Sequence, residues 1–191
     1  MKNLEGTVIG KGDERSLPII PGTYPAHVCN VGINEYNESF VYNVTFRIAP
    51  EVEKVQINKM TRENGELVQV LDAEGTPQKI TASYLTSKEF RGDGVWLTPE
   101  PGDEKWKNRK YKAYFESLGI VFEADENGDT VLGQVEENDV LGVPCLIKIA
   151  QDEYTDKKTG EPKQAWKVFN VYPWSSGEKI DVEEIKSDVP F

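Results

Sequence analysis

The stretch FVYNVTFRIA, residues 40–49, decides the fold. Phe40, Tyr42, Val44, Phe46 and Ile48 recur every second residue, and Asn43, Thr45 and Arg47 fall between them. A period of two with aromatic and β-branched residues on the apolar side predicts a strand with one buried and one polar face. A first strand is expected over TYPAHVCNVGI, residues 23–33, after the punctuation of Pro18, Pro21 and Gly22. Downstream, KVQINKM and ELVQVLD flank TRENG, whose Asn64-Gly65 pair is a hairpin turn signal. QKITASYL extends that ribbon, so residues 52–85 read as an inserted strand-rich excursion.

One main helix follows TPEPGD. Asp103 serves as its cap, Tyr111, Tyr114, Phe115 and Leu118 form its apolar stripe, and Gly119 closes it. GVPCLIKIA (residues 142–150) and QAWKVFNVYPW (residues 164–174) then make a hairpin with the long charged tip QDEYTDKKTGEPK. Strands, one helix and two more strands predict a mainly β fold. The expected form is a small closed barrel with the helix between its third and fourth principal strands, the oligonucleotide-binding (OB) order. Other small barrels share that element order. The domain is expected over residues 1–175, and residues 176–191 read as a flexible acidic tail.

At 191 residues with 38% hydrophobic content, the chain has the length and the apolar residues for one real core, which excludes a wholly disordered protein. No apolar run approaches the roughly 18 residues of a membrane span. MKNLEGTVIGKGDERS lacks the apolar centre of a secretory signal, so a cytoplasmic location is expected. Cys29 and Cys145 lie in apolar strands rather than in a disulfide framework, which fits a reducing compartment.

The net charge of −11 is unevenly spread. Residues 121–140 hold Glu123, Asp125, Glu126, Asp129, Glu136, Glu137 and Asp139 without a Lys or Arg. Residues 176–191 contribute a further −3, which leaves the body at −1 and free to carry a local basic face.

Enzyme constellations are missing. The one histidine, His27, sits inside a strand, and no phosphate loop, nucleophile elbow or dinucleotide fingerprint is present. No catalytic residue, metal or cofactor is expected. EADENGDT, residues 123–130, partly mimics a calcium loop. It has Glu123 at the first ligand position and Gln134 at the twelfth, and it reads as an Asn-Gly turn.

KWKNRKYK, residues 105–112, places Lys105, Lys107, Arg109, Lys110 and Lys112 around Trp106. An aromatic among cations is the composition of a stacking site for an unpaired base, with Lys and Arg on phosphates. It is equally the composition of a solvated helix face whose Trp covers a barrel end. Arg47, Lys59 and Arg62, Tyr154 with Lys157 and Lys158, and Trp166 with Lys167 repeat the basic-aromatic theme on strands and hairpin tips.

The terminal SDVPF resembles the C-terminal tip of bacterial and phage single-stranded DNA-binding proteins. PGTYPAHV, KAYFESLGI, LGVPCLIKI and EYTDKKTGEPKQAWKVFNVYPW resemble a phage group of such proteins. The resemblance implies an OB-fold protein that coats single-stranded DNA during replication and recombination in an infected bacterial cell. It further implies that Asp188, Val189, Pro190 and Phe191 dock on replication or recombination enzymes. A different expectation is an acidic interaction protein or inhibitor that uses the same tail without binding DNA.

Overall fold

The computed structural model describes residues 17–99 and 105–181. Its strands and helices are, in order, β1 (Gly22–Tyr36), β2 (Ser39–Ile48), β3 (Gln56–Asn58), β4 (Met60–Glu63), β5 (Glu66–Gln69), β6 (Lys79–Thr81), β7 (Glu89–Arg91), β8 (Val95–Leu97), α1 (Lys105–Ser117), α2 (Glu137–Val140), β9 (Pro144–Thr155) and β10 (Pro162–Pro173). Two compact units result. One comprises residues 17–20 and 50–86, and the other residues 21–49, 87–99 and 105–181.

The larger unit is one antiparallel sheet in the order β10-β9-β1-β2-β7, with β8 also paired to β2. The alternation of β2 governs it. Tyr42, Val44, Phe46 and Ile48 are buried, and Val28 and Val31 of β1 stand opposite Phe46 and Val44. Val28 and Val31 are three residues apart yet share that face because a bulge between Val28 and Asn30 absorbs one residue. Tyr24 and Ala26 carry the apolar face on to Ile147 and Cys145 of β9.

Helix α1 covers this face. Tyr111, Phe115 and Leu118 of the expected stripe are buried. The Tyr111 and Phe115 rings lie 5.3 and 5.1 Å from Tyr42, and Tyr114 lies 6.5 Å from Phe46. Truncating an aromatic packed this way costs about 3–5 kcal/mol. Gly119, at φ 84°, ends the helix as expected. The Ile120 amide donates to Phe115 O and the Gly119 amide to Glu116 O, both at 3.0 Å, a paired carbonyl capture that needs a left-handed residue. Asp103 lies outside the described residues.

The closed barrel expected from the element order is not formed. The edge strands β7 and β10 share no ladder and meet at a single parallel bridge, Gly92 to Val168, with Lys167 3.1 Å from Asp93 beside it. The reason is length: β7 has three residues, and the chain leaves the ladder at Gly92 before β8 starts. The result is a mainly β, antiparallel architecture whose sheet curls until its edges touch.

In the smaller unit, Asn64 and Gly65 at φ 50° and 88° turn β4 into β5, as expected of that pair. The third segment joins that ribbon as expected, since Gln78 N–H donates to Val70 O at 2.9 Å and Gln78 O accepts Lys59 N–H at 2.8 Å. β6 pairs with β3 in a separate two-stranded sheet. Val52, Ala82 and Leu85 are buried where two 3-10 turns, Pro50–Lys54 and Ala82–Leu85, meet. Among the described residues no helix is long and apolar enough to cross a membrane.

Candidate nucleic-acid interface

Cross-strand partners share a face of a sheet, so register fixes what stands on the side away from α1. Arg47 faces His27 and Glu89; Thr45 faces Asn30 and Arg91; Asn43 faces Gly32. Val41 faces Asn34 and Trp96, and Ser39 faces Tyr36. This outer face therefore runs from a cationic end at Arg47 and Arg91 to an aromatic end at Trp96 and Tyr36.

The aromatic end is built by three local devices. Asn37 and Glu38, at φ 47° and 64°, form the tight turn that leaves Tyr36 at the end of β1. Pairing of β8 with β2 sets Trp96 on the same face, and the two rings lie 6.1 Å apart. Asn108 then fixes the start of α1 against β8. Its Oδ1 accepts the Thr98 amide and its Nδ2 donates to Thr98 O, both at 2.9 Å. That anchor brings Lys107 Nζ to 5.0 Å from the Trp96 ring and 6.0 Å from the Trp106 ring. Tyr36 and Trp106 are each 58% exposed. Two tryptophan rings beside one ammonium group, with a tyrosine ring against one of them, can accept unpaired bases by stacking.

The cations of this unit, Arg91 beside those expected from the sequence, divide into free and committed groups. Arg109 and Lys110 are exposed on α1 and Arg91 on β7, and the side chains have no partner among the described residues. Arg47 is bound to Glu89 at 2.9 Å. Lys112 turns to the Thr130 hydroxyl at 3.0 Å and to Glu116 at 3.7 Å. Lys167 is clamped between Asp152 and Asp93 and lies over the Phe169 ring; the Asp152 hydrogen bond leads in raising its pKa above the usual lysine range. Lys105's side chain lies outside the described residues, as do Asp188, Val189, Pro190 and Phe191.

At the β9–β10 hairpin, Tyr154 is half exposed opposite Lys163, and Lys157 and Lys158 are exposed at the tip. Alternation along β9 puts Tyr154 on the same face as Lys148 and the Ala150–Lys167 pair, and puts Trp166, opposite Gln151, on the other. Lys59 and Arg62 belong to the smaller unit. Arg62 there donates to Gly65 O at 2.9 Å, and both line a shallow groove with Leu17, Pro18 and Val70.

Cys29 and the turn over residues 123–130 are accounted for structurally. Burial pushes the Cys29 thiol up to about 12, with Glu89 adding to the effect, and the thiol donates to Thr45 O at 3.4 Å. The Asp125 carboxylate accepts the amides of Asn127 and Asp129 at 2.8 and 2.9 Å, and these bonds hold its pKa below the usual range. Gly128 at φ 85° completes the Asn-Gly turn expected there. Among the described residues no His, Cys, Asp or Glu group is placed to hold a metal.

Tyr36, Arg91 and Trp96 were not singled out by the sequence. Tyr36 lies beyond the expected end of the first strand. Trp96 sits in a three-residue strand too short to show alternation, and only the β2 register brings it beside Tyr36. No family model matches the chain, and no curated protein matches it in sequence.

Proposed function

We propose that the chain binds single-stranded DNA without strong sequence preference, as a non-enzymatic OB-like protein of phage replication or recombination. The observation that carries the reading is the cluster of Tyr36, Trp96 and Trp106, with Tyr36 against Trp96 and Lys107 against both tryptophans, beside a sheet face that also bears Arg91. Stacking on such rings is sequence-tolerant because every base has a π face. The strand arrangement supports the finer fold. Helix α1 lies between β8 and β9, and the edge strands meet in parallel, as a partly open OB barrel would have them. OB proteins contact oligonucleotides with the second and third strands and with the first and last hairpin loops. Here those places hold Arg47, Arg91 and Trp96, then Tyr36, then Tyr154, Lys157 and Lys158. The sequence Asp188-Val189-Pro190-Phe191 is the proposed contact for replication enzymes, by its resemblance alone.

A second reading has one observation in its favour. Arg47 and Lys167 are already neutralised by carboxylates, as an acidic interaction protein would tolerate. Titrating labelled oligo-dT at low and physiological salt separates the two. Salt-sensitive binding supports the DNA reading, and no binding at low salt leaves only the interaction protein.

A further inference from the structure

On the side of the sheet that α1 covers, the chain after Gly119 doubles back. Val131 N–H donates to Glu123 O and Asp125 N–H to Asp129 O, both at 2.8 Å, and Ala124 bridges Thr130. Between this loop and α2 runs a groove of about 350 Å³, floored by Ile120, Phe122 and Val135 and edged by Val121 and Val131. Its floor is anchored to the core. Phe122 lies 5.9 Å from Tyr111, the Tyr111 hydroxyl donates to Gly133 O at 2.9 Å, and the Val135 amide donates to the Tyr111 oxygen at 3.1 Å. The groove is thus preformed.

Its edges are not satisfied by the chain. Val121 is 87% exposed and Val131 55%, on a segment where an apolar side chain gains nothing from standing in water. Charge selects the occupant. Glu123 and Asp139 line the groove, residues 121–140 carry seven acids and no Lys or Arg, and Lys112, which reaches the loop from α1, is bound to Thr130 and Glu116. Nucleic acid and the chain's own acidic residues 176–191 are repelled from it. The basic stretch of a second copy fits poorly, because its Tyr111 is buried and its Trp106 is engaged by Lys107.

We infer that this groove is a docking site for a partner protein's short cationic segment, with an aliphatic or aromatic anchor between Lys and Arg residues. The anchor enters between Val121 and Val131, and the flanking cations meet Glu123 and Asp139. The groove shares no lining residue with Tyr36, Trp96, Trp106 or Lys107, so the two surfaces can be occupied together.

The test uses the full chain and three labelled peptides in fluorescence anisotropy: a Phe-Leu centre flanked by Lys and Arg, the same centre flanked by Asp and Glu, and a Ser centre flanked by Lys and Arg. The first peptide is expected to bind about tenfold or more tightly than either other, the gain of burying one large apolar side chain. The double variant Val121→Ser, Val131→Ser should lose that preference while its melting temperature and oligo-dT affinity stay unchanged, since both side chains are exposed. Equal binding of the two cationic peptides, or a preference that survives in the double variant, overturns the proposal. So does sedimentation showing self-association of the wild type that the double variant abolishes.

Discussion

His27 on β1 donates from Nε2 to the carbonyl of Glu178 at 3.0 Å, across 151 residues of chain. His27 stands on the outer face opposite Arg47, yet it is only 4% exposed, because Trp174 packs 5.8 Å from its ring and the following residues close over it. Ile180 N–H donates to Gly142 O at 3.1 Å beside it. Residues 174–181 are therefore clasped to the β1–β9 part of the sheet.

Gly142 is the residue on which that clasp depends. It sits at φ 74°, and a Cβ there would lie 2.1 Å from Ile180 O, a backbone atom that cannot swing aside. Gly142→Ala is expected to cost roughly 1–3 kcal/mol through strain and loss of the clasp. Thermal melts should fall, and hydrogen exchange at the Ile180 amide should accelerate. Unchanged exchange at Ile180 would show that the clasp does not close in solution.

Tyr114 offers a test of the opposite sign. Its hydroxyl is buried without a hydrogen-bond partner among the described residues, and burial drives its pKa far above the usual tyrosine range. A buried unsatisfied hydroxyl costs about 1–3 kcal/mol, so Tyr114→Phe is expected to hold or raise the melting temperature. A clear fall would mean that the hydroxyl has a partner.

The outer-face cations should not be equivalent. Arg47 is held by Glu89 whereas Arg91, two register pairs along, has no partner among the described residues. Arg91→Ala is expected to weaken oligo-dT binding and to lower the slope of log K against log salt by about 0.7, one single-strand phosphate. Arg47→Ala should change the slope less. Equal slopes would remove the distinction between committed and free cations.

Much of the fold was legible because it rests on local repetition. The alternation of residues 40–49 and the stripe ending at Gly119 each record one buried face directly. What escaped depends on events that leave no periodic trace. The bulge at Cys29 turns β1 over midway, and the three-residue β7 cannot close the barrel. The site divides in the same way. Trp106 and Lys107 announced themselves as an aromatic among cations, but Tyr36, Arg91 and Trp96 acquire meaning only from the register that aligns them.

Tyr36→Ala is expected to weaken single-strand binding by roughly 1–3 kcal/mol, the worth of one stacked base, with no change in melting temperature. Its ring is 58% exposed, so the fold does not rely on it. A loss of stability equal to the loss of affinity would make Tyr36 a structural residue instead.

The most direct test of the central claim is intrinsic tryptophan fluorescence during addition of unlabelled oligo-dT. Trp96 and Trp106 flank Lys107 on the proposed stacking array, whereas Trp166 falls on the other face of the sheet and Trp174 covers His27. The account predicts a saturable quench at low salt that weakens as salt rises and is largely lost in the Trp96→Phe, Trp106→Phe double variant. No quench in the wild-type chain, or an equal quench in the double variant, would contradict it.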